Sequence, residues 1–214
     1  HYAETLWQLG SHAHAVAHME EAVRLSGGNA DLVVRLGDMY LAGGDLQRAA
    51  QQAEAAIQAN RQLASAWALR GEVLRKMGHD EEALASYHRA LSYQSHYPRA
   101  QLAAAEIYGR QKRHARALAT LRTLADGYPS GETPAHVLML QGLALKELGR
   151  YGAAAEMLAL AAKQQSPPST EILACLAETQ FLAGDAANAR LTLQTALTRS
   201  SQEPVTEPLT AQLL

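Results

Sequence analysis

The chain has 214 residues, a formal net charge of −2 and a pI near 6.5, with 48% hydrophobic and only 5% aromatic residues. That balance allows a buried core and gives no general footprint for nucleic acid or an anionic membrane surface. No apolar run approaches the roughly 18 residues of a membrane span, so membrane insertion is not expected. The single cysteine, Cys175, excludes an internal disulfide framework. A lone cysteine fits a reducing, cytoplasmic compartment. The sequence starts at His1 without an initiator methionine, and this expectation leaves an N-terminal targeting segment open.

From the amino end, one pattern recurs. A glycine is followed five residues later by an alanine at Gly10/Ala15, Gly44/Ala49, Gly78/Ala83, Gly149/Ala154 and Gly184/Ala189, and Lys112/Ala117 is a copy with the glycine replaced. These alanines succeed one another at 34, 34, 34, 37 and 35 residues. Seven residues on stands a second small residue, Ala22, Ala56, Ala90, Ala161 or Ala196, with Leu124 as the exception. Between the two fall Met19, Ala53, Tyr87, Leu121, Leu158 and Leu193. At helical spacing each triplet lies on one stripe, and its small side chains predict a close facing backbone.

Upstream of each glycine a second apolar face is legible, as in Val33, Leu36 and Tyr40, or Trp67 and Leu74. Each unit is therefore read as two amphipathic helices joined by a turn. Glycine ends the first helix because it accepts the left-handed backbone of a C-terminal cap. Asp45 and Asp185, which follow it, can cap the second. The chain divides into a partial unit 1–29, then units 30–63, 64–97, 98–134, 135–169 and 170–203, all in a single repeat domain 1–214. The extra residues fall in Asp126–His136 and Gln164–Thr170, which read as loops between units. Residues 204–214 read as a tail or a capping helix carrying Leu209, Leu213 and Leu214. The small slots Gly37, Gly71 and Gly142 of the first helices are expected to receive the alanine stripes.

Trp67 and Gly71, Leu36-Gly37 and Tyr40, Ala83, Tyr87 and Ala90, and Pro98 and Pro129 occupy or closely neighbour the motif slots of the tetratricopeptide repeat, which the chain resembles over nearly its whole length. Arg70, Ala105, Ala177 and Gln180 depart from the usual residues. The resemblance implies an all-α fold, a right-handed α-solenoid of stacked antiparallel helix pairs forming a superhelix. It also implies a concave side lined by the first helices, where partners bind.

The residue after each small slot is then expected to face that groove: Glu4, Asp38, Glu72, Glu106, Leu143 and Glu178, five of the six acidic. Such a column favours a basic or amide-rich extended segment. The competing reading is a solvated surface in which Glu72 pairs with Arg75 or Lys76 and Glu106 with Arg110, while Asp38 has only Arg35 and Glu4 and Glu178 have no such helix partner. One turn further stand Trp7, Leu41, Arg75, Gly109, Lys146 and Phe181. Trp7 and Phe181 are candidate apolar anchors or fillers between units. The lysine-asparagine-arginine clamp of the chaperone-tail-binding branch has no matching set here, nor does the asparagine ladder of O-linked GlcNAc transferases.

The histidines of "HAHAVAH", His12, His14 and His18, lack the carboxylate-bearing signature of a catalytic zinc helix, so no metal site is expected. Cys175 reads as a packing residue, and "GRQKRHAR", Gly109–Arg116, as a solvated corner without interleaved stacking aromatics, so nucleic acid is not expected as a partner. The expectation is a non-catalytic scaffold without cofactors, binding an extended peptide or helix of another protein. The alternatives are the repeat portion of a larger enzyme or envelope assembly factor, and self-association through end units.

Overall fold

The computed structural model describes residues 2–200, and among these there are twelve helices and no strand. They are α1 Tyr2–Gln8, α2 His12–Leu25, α3 Ala30–Ala42, α4 Leu46–Ala59, α5 Ala64–Lys76, α6 Asp80–Tyr93, α7 Pro98–Arg110, α8 His114–Ala125, α9 Ala135–Glu147, α10 Tyr151–Gln164, α11 Thr170–Leu182 and α12 Ala186–Ser200. The expected loops join α8 to α9 and α10 to α11. The tail or capping helix read at 204–214 lies outside the described residues.

The turn chemistry inside each pair is uniform. Gly10, Gly44, Gly78, Gly149 and Gly184 all hold φ between 71° and 85°, and Lys112, in the same slot, is forced to 57°. The second helices differ at their start. Asp45 accepts a hydrogen bond from the Arg48 amide at 3.0 Å, and Asp185 accepts one from the Asn188 amide at 3.2 Å. His79, Arg113 and Arg150 occupy the same position without a capping side-chain hydrogen bond.

The chain falls into two compact units, His1–Arg110 and Gln111–Leu214. In the first, α1–α2, α3–α4 and α5–α6 form hairpins; each second helix packs on the next first helix, α2 on α3, α4 on α5 and α6 on α7. First helices also touch one another, α3 against α5 and α5 against α7. The second unit repeats the scheme with α8 on α9, the hairpin α9–α10, α10 on α11 and the hairpin α11–α12. This is the all-α stack of helix pairs that the repeats predict.

The stripes are buried as expected: Ala49, Ala53, Ala56, Ala83, Tyr87, Ala90, Ala154, Leu158 and Ala161 are all inaccessible to solvent. Leu193 on α12 differs, standing 48% exposed. At Gly71 and Gly142 the nearest neighbour is not a stripe alanine. A Cβ placed on Gly71 would stand 2.6 Å from the Tyr87 ring, and one on Gly142 would stand 2.7 Å from Leu158 Cγ, so the larger middle residue of the stripe fills the slot. In the α3–α4 pair that middle residue is Ala53, too short to reach. Leu69 of α5 takes its place over Gly37. The stripe alanines act beside the slot, letting the two backbones approach until the middle side chain meets the glycine.

Candidate functional site

The first helices of unit one carry Glu4 on α1, Asp38 on α3, Glu72 on α5 and Glu106 on α7. Their spacing along the repeat gives each the same helical phase, and each is paired with a base. Arg35 Nη1 of α3 donates to Glu4 Oε1 at 2.6 Å. Arg99 Nη1 of α7 donates to Asp38 Oδ1 at 2.7 Å. Arg75 hydrogen-bonds Glu72 on its own helix and comes within 3.9 Å of Glu106 on α7. The pairing of Glu72 with Arg75 follows the i,i+3 spacing. Arg110 instead holds Asp80 at 2.8 and 2.9 Å, because Asp80 at the start of α6 lies within its reach across the stack.

The Asp38–Arg99 bond defines the shape of this face. Packed helices stand about 8–10 Å apart, so two steps on a flat face separate the axes of α3 and α7 by about 16–20 Å, near the limit of what an aspartate and an arginine span together. The bond passes over α5, so α3 and α7 approach one another across the first-helix face of unit one. Arg99 stands seven residues before Glu106 and hence on the same face of α7, a spacing the acid-centred reading passed over.

Glu72 lies deepest. It is 9% exposed and accepts a hydrogen bond from the Tyr87 hydroxyl at 2.8 Å in addition to those from Arg75. Burial works to raise its pKa, but the hydrogen bonds from Arg75 and Tyr87 and the charges of Arg75 and Arg99 outweigh it, holding the carboxyl below its ordinary value. The Tyr87 hydroxyl is pushed well above its usual value by burial and then by the Glu72 charge. This trio is a structural joint between α5 and α6. Asp38 and Arg99 have side chains 37% and 40% exposed and face solvent.

Trp7 of α1 is half-buried against the core of unit one, its indole edge-on to His12 with ring centroids 4.2 Å apart. It also borders a cavity of about 410 Å³ lined by Glu4, Trp7, Gln8, Arg35, Asp38 and Met39. In unit two, Lys146 of α9 donates to Glu178 of α11 at 2.9 Å. Beyond that pair Phe181 is 69% exposed, beside a mostly apolar cavity of about 510 Å³ between α11 and α12 that also includes Ala177, Ala189 and Leu193. Leu143, the apolar member of the column, is half-buried.

The remaining candidates have local roles. His12 packs on Trp7 and His18 on Tyr2, so the histidine run serves separate aromatic contacts. Among the described residues no group of three or more histidine, cysteine, aspartate or glutamate side chains could hold a metal ion. Burial pushes the Cys175 thiol up in pKa, away from the thiolate. No helix among the described residues is long and apolar enough to cross a membrane.

No curated protein matches the chain in sequence. Several solved structures share its fold. A tetratricopeptide repeat protein from Parabacteroides merdae ATCC 43184 superposes with a TM-score of 0.69 at 17% identity, over 97% of this chain and 78% of that one. YrrB, described as a TPR protein with an unusual peptide-binding site, gives 0.73 at 16% identity over 84% and 91%. MamA from Desulfovibrio magneticus RS-1 gives 0.73 at 15% identity over 82% and 97%. At these identities the likeness concerns the fold. Two family models of the tetratricopeptide repeat match, one at residues 6–73 and 74–142 and the other at 139–204. With its glycine-hinged helix pairs and small-residue stripes, the chain belongs to the tetratricopeptide repeat family.

Proposed function

We propose that the protein is a non-catalytic interaction scaffold whose first-helix face holds an extended, basic or amide-rich segment of a partner protein. The observation that carries this reading is the Asp38–Arg99 bond over α5, which draws α3 and α7 together across the first-helix face of unit one. Glu4, Asp38, Glu106 and Arg75 line it, Trp7 closes one end, and Glu72 supports its floor. In unit two, Glu178, Lys146 and Phe181 form the corresponding face. The peptide-binding site named for YrrB, a structural neighbour, supports the same use of the fold. The acids are already met by bases of neighbouring helices, so a partner binds by exchanging ion pairs, and salt weakens it modestly.

The test crosslinks the purified protein in lysate and maps the partner peptides attached near Asp38. Binding of the captured partner is then measured against salt for a variant with Glu4, Asp38, Glu106 and Glu178 changed to their amides. Glu72 is left intact because it holds Arg75 and Tyr87. A reduced salt slope and a weaker partner are expected. An unchanged slope ends the acidic-column reading.

A second reading, self-association, is favoured by Phe181, Leu191, Leu193 and Leu197, all exposed on the last described hairpin. Light scattering over a concentration series reads it directly. Leu193→Glu is expected to abolish any rise in mass, and a mass constant at the monomer value sinks this reading.

A further inference from the structure

The cavity beside Trp7 has a chemistry of its own. Its apolar lining residues are Trp7 and Met39, and its charged ones are Glu4, Asp38 and Arg35, two carboxylates against one guanidinium. Arg35 is engaged with Glu4. The counter-ion of Asp38 comes from outside the cavity, as Arg99 reaches over from α7. Its volume of about 410 Å³ is in the range of pockets that take a small ligand or a single side chain.

We propose that this cavity receives an arginine side chain of the extended partner, its stem against Trp7 and Met39 and its guanidinium on Asp38 in place of Arg99. This rests on the groove reading above and names one residue that the groove recognises. Three features favour arginine. With Arg99 displaced, the walls carry one net negative charge, complementary to a cation. The Asp38 carboxylate already accepts a guanidinium, so the incoming group repeats a geometry the site provides. Trp7 lines the same cavity as the carboxylate, and an aromatic side chain there stabilises a flat cation that stacks on it. The exchange costs less than opening the Glu72–Arg75 pair would, because the Arg99 and Asp38 side chains are 40% and 37% exposed against 24% and 12% for Arg75 and Glu72. Arg99 is thereby a latch on the pocket, competing with the ligand for one carboxylate.

The experiment uses the full chain labelled with 15N and two probes at low salt: the peptide acetyl-Gly-Ser-Arg-Gly-Ser-amide and its twin with citrulline, a neutral near-isostere, for arginine. The arginine peptide is expected to shift the Trp7 indole N–H and the backbone amides of Asp38 and Met39, and the citrulline twin to bind about tenfold more weakly or worse. Asp38→Asn should remove the difference between the peptides. Arg99→Gln should tighten the arginine peptide roughly three- to tenfold. Arg110→Gln makes the same change in net charge at a base paired with Asp80, and should move affinity less than about twofold. Should Arg99→Gln fail to fold, as its own spectrum shows, the two peptides against the parent chain and Asp38→Asn still decide the matter. Equal binding of the twins, or no shift at Trp7 up to millimolar peptide, overturns the proposal. Equal effects of Arg99→Gln and Arg110→Gln overturn the latch. Shifts confined to α5 and α7, or a lysate partner crosslinked in the groove while the arginine peptide leaves Trp7 unmoved, leave the groove reading standing and remove only this pocket.

Discussion

At the scale of single residues, the fold turns on where a Cβ fits. Gly71 faces the Tyr87 ring so closely that an added methyl would stand 2.6 Å from it, whereas Gly109 on α7 has nothing within 4 Å. Alanine is the better helix former by about 1 kcal/mol. Gly109→Ala should therefore raise stability by up to that amount, while Gly71→Ala lowers it by about 1–3 kcal/mol through overpacking, a contrast that denaturant midpoints resolve. Lys112 holds φ 57° in a slot that is otherwise glycine. Lys112→Gly is expected to stabilise by about 1 kcal/mol, read as a rise in Tm without change in the helical spectrum. Glu72 sets an acid limit. Its carboxyl is held below the ordinary 4.5, so the folded state gains from it above that pH and loses the gain as pH falls through the folded value. Glu72→Gln should cost about 2 kcal/mol at neutral pH, and the gap to the parent chain should narrow in acid; a gap constant from pH 7 to 3 would show that the charge is not what matters.

At the scale of elements, the second helices share a packing stripe but not a start. Asp45 and Asp185 cap α4 and α12 with a side-chain oxygen, while Arg150, in the capping position before α10, brings a positive charge to the positive end of a helix and no acceptor. Arg150→Asp should stabilise by about 1 kcal/mol and Asp45→Ala should destabilise by a similar amount, both measured by urea unfolding. The pairs also show how one position compensates another. Where the middle residue of the stripe shrinks to Ala53, Leu69 from the next first helix fills the space over Gly37. The helix periodicity was legible at both positions. Their exchange was not, because it joins side chains on α4 and α5 that meet only when the hairpins stack.

At the scale of the whole molecule, the repeat period of 34 to 37 residues announces a stack in which each hairpin depends on its neighbours for burial. If residues 1–214 act as one repeat domain, the chain should unfold in one urea transition reported alike by helix content and tyrosine fluorescence. Two resolved steps would make the compact units 1–110 and 111–214 separate domains. Charge is also arranged at this scale. Read helix by helix, only Glu72, Glu106 and Asp38 have a base within reach on their own helix, yet in the fold Glu4, Asp38 and Glu178 each find a base on another first helix, and Glu106 comes near Arg75.

What the residues by themselves determined is the local grammar. The glycine turns, the aspartate caps and the alanine stripes follow from spacing, because each is set by backbone dihedrals and helical phase within some 34 residues. What only the tertiary structure decided is which side chains meet between helices: Tyr87 in the Gly71 slot, Leu69 over Gly37, Arg99 reaching Asp38 from 61 residues away. Those contacts depend on how sharply the first helices close on one another. That closure is a sum of packing choices across many side chains, and no single repeat encodes it.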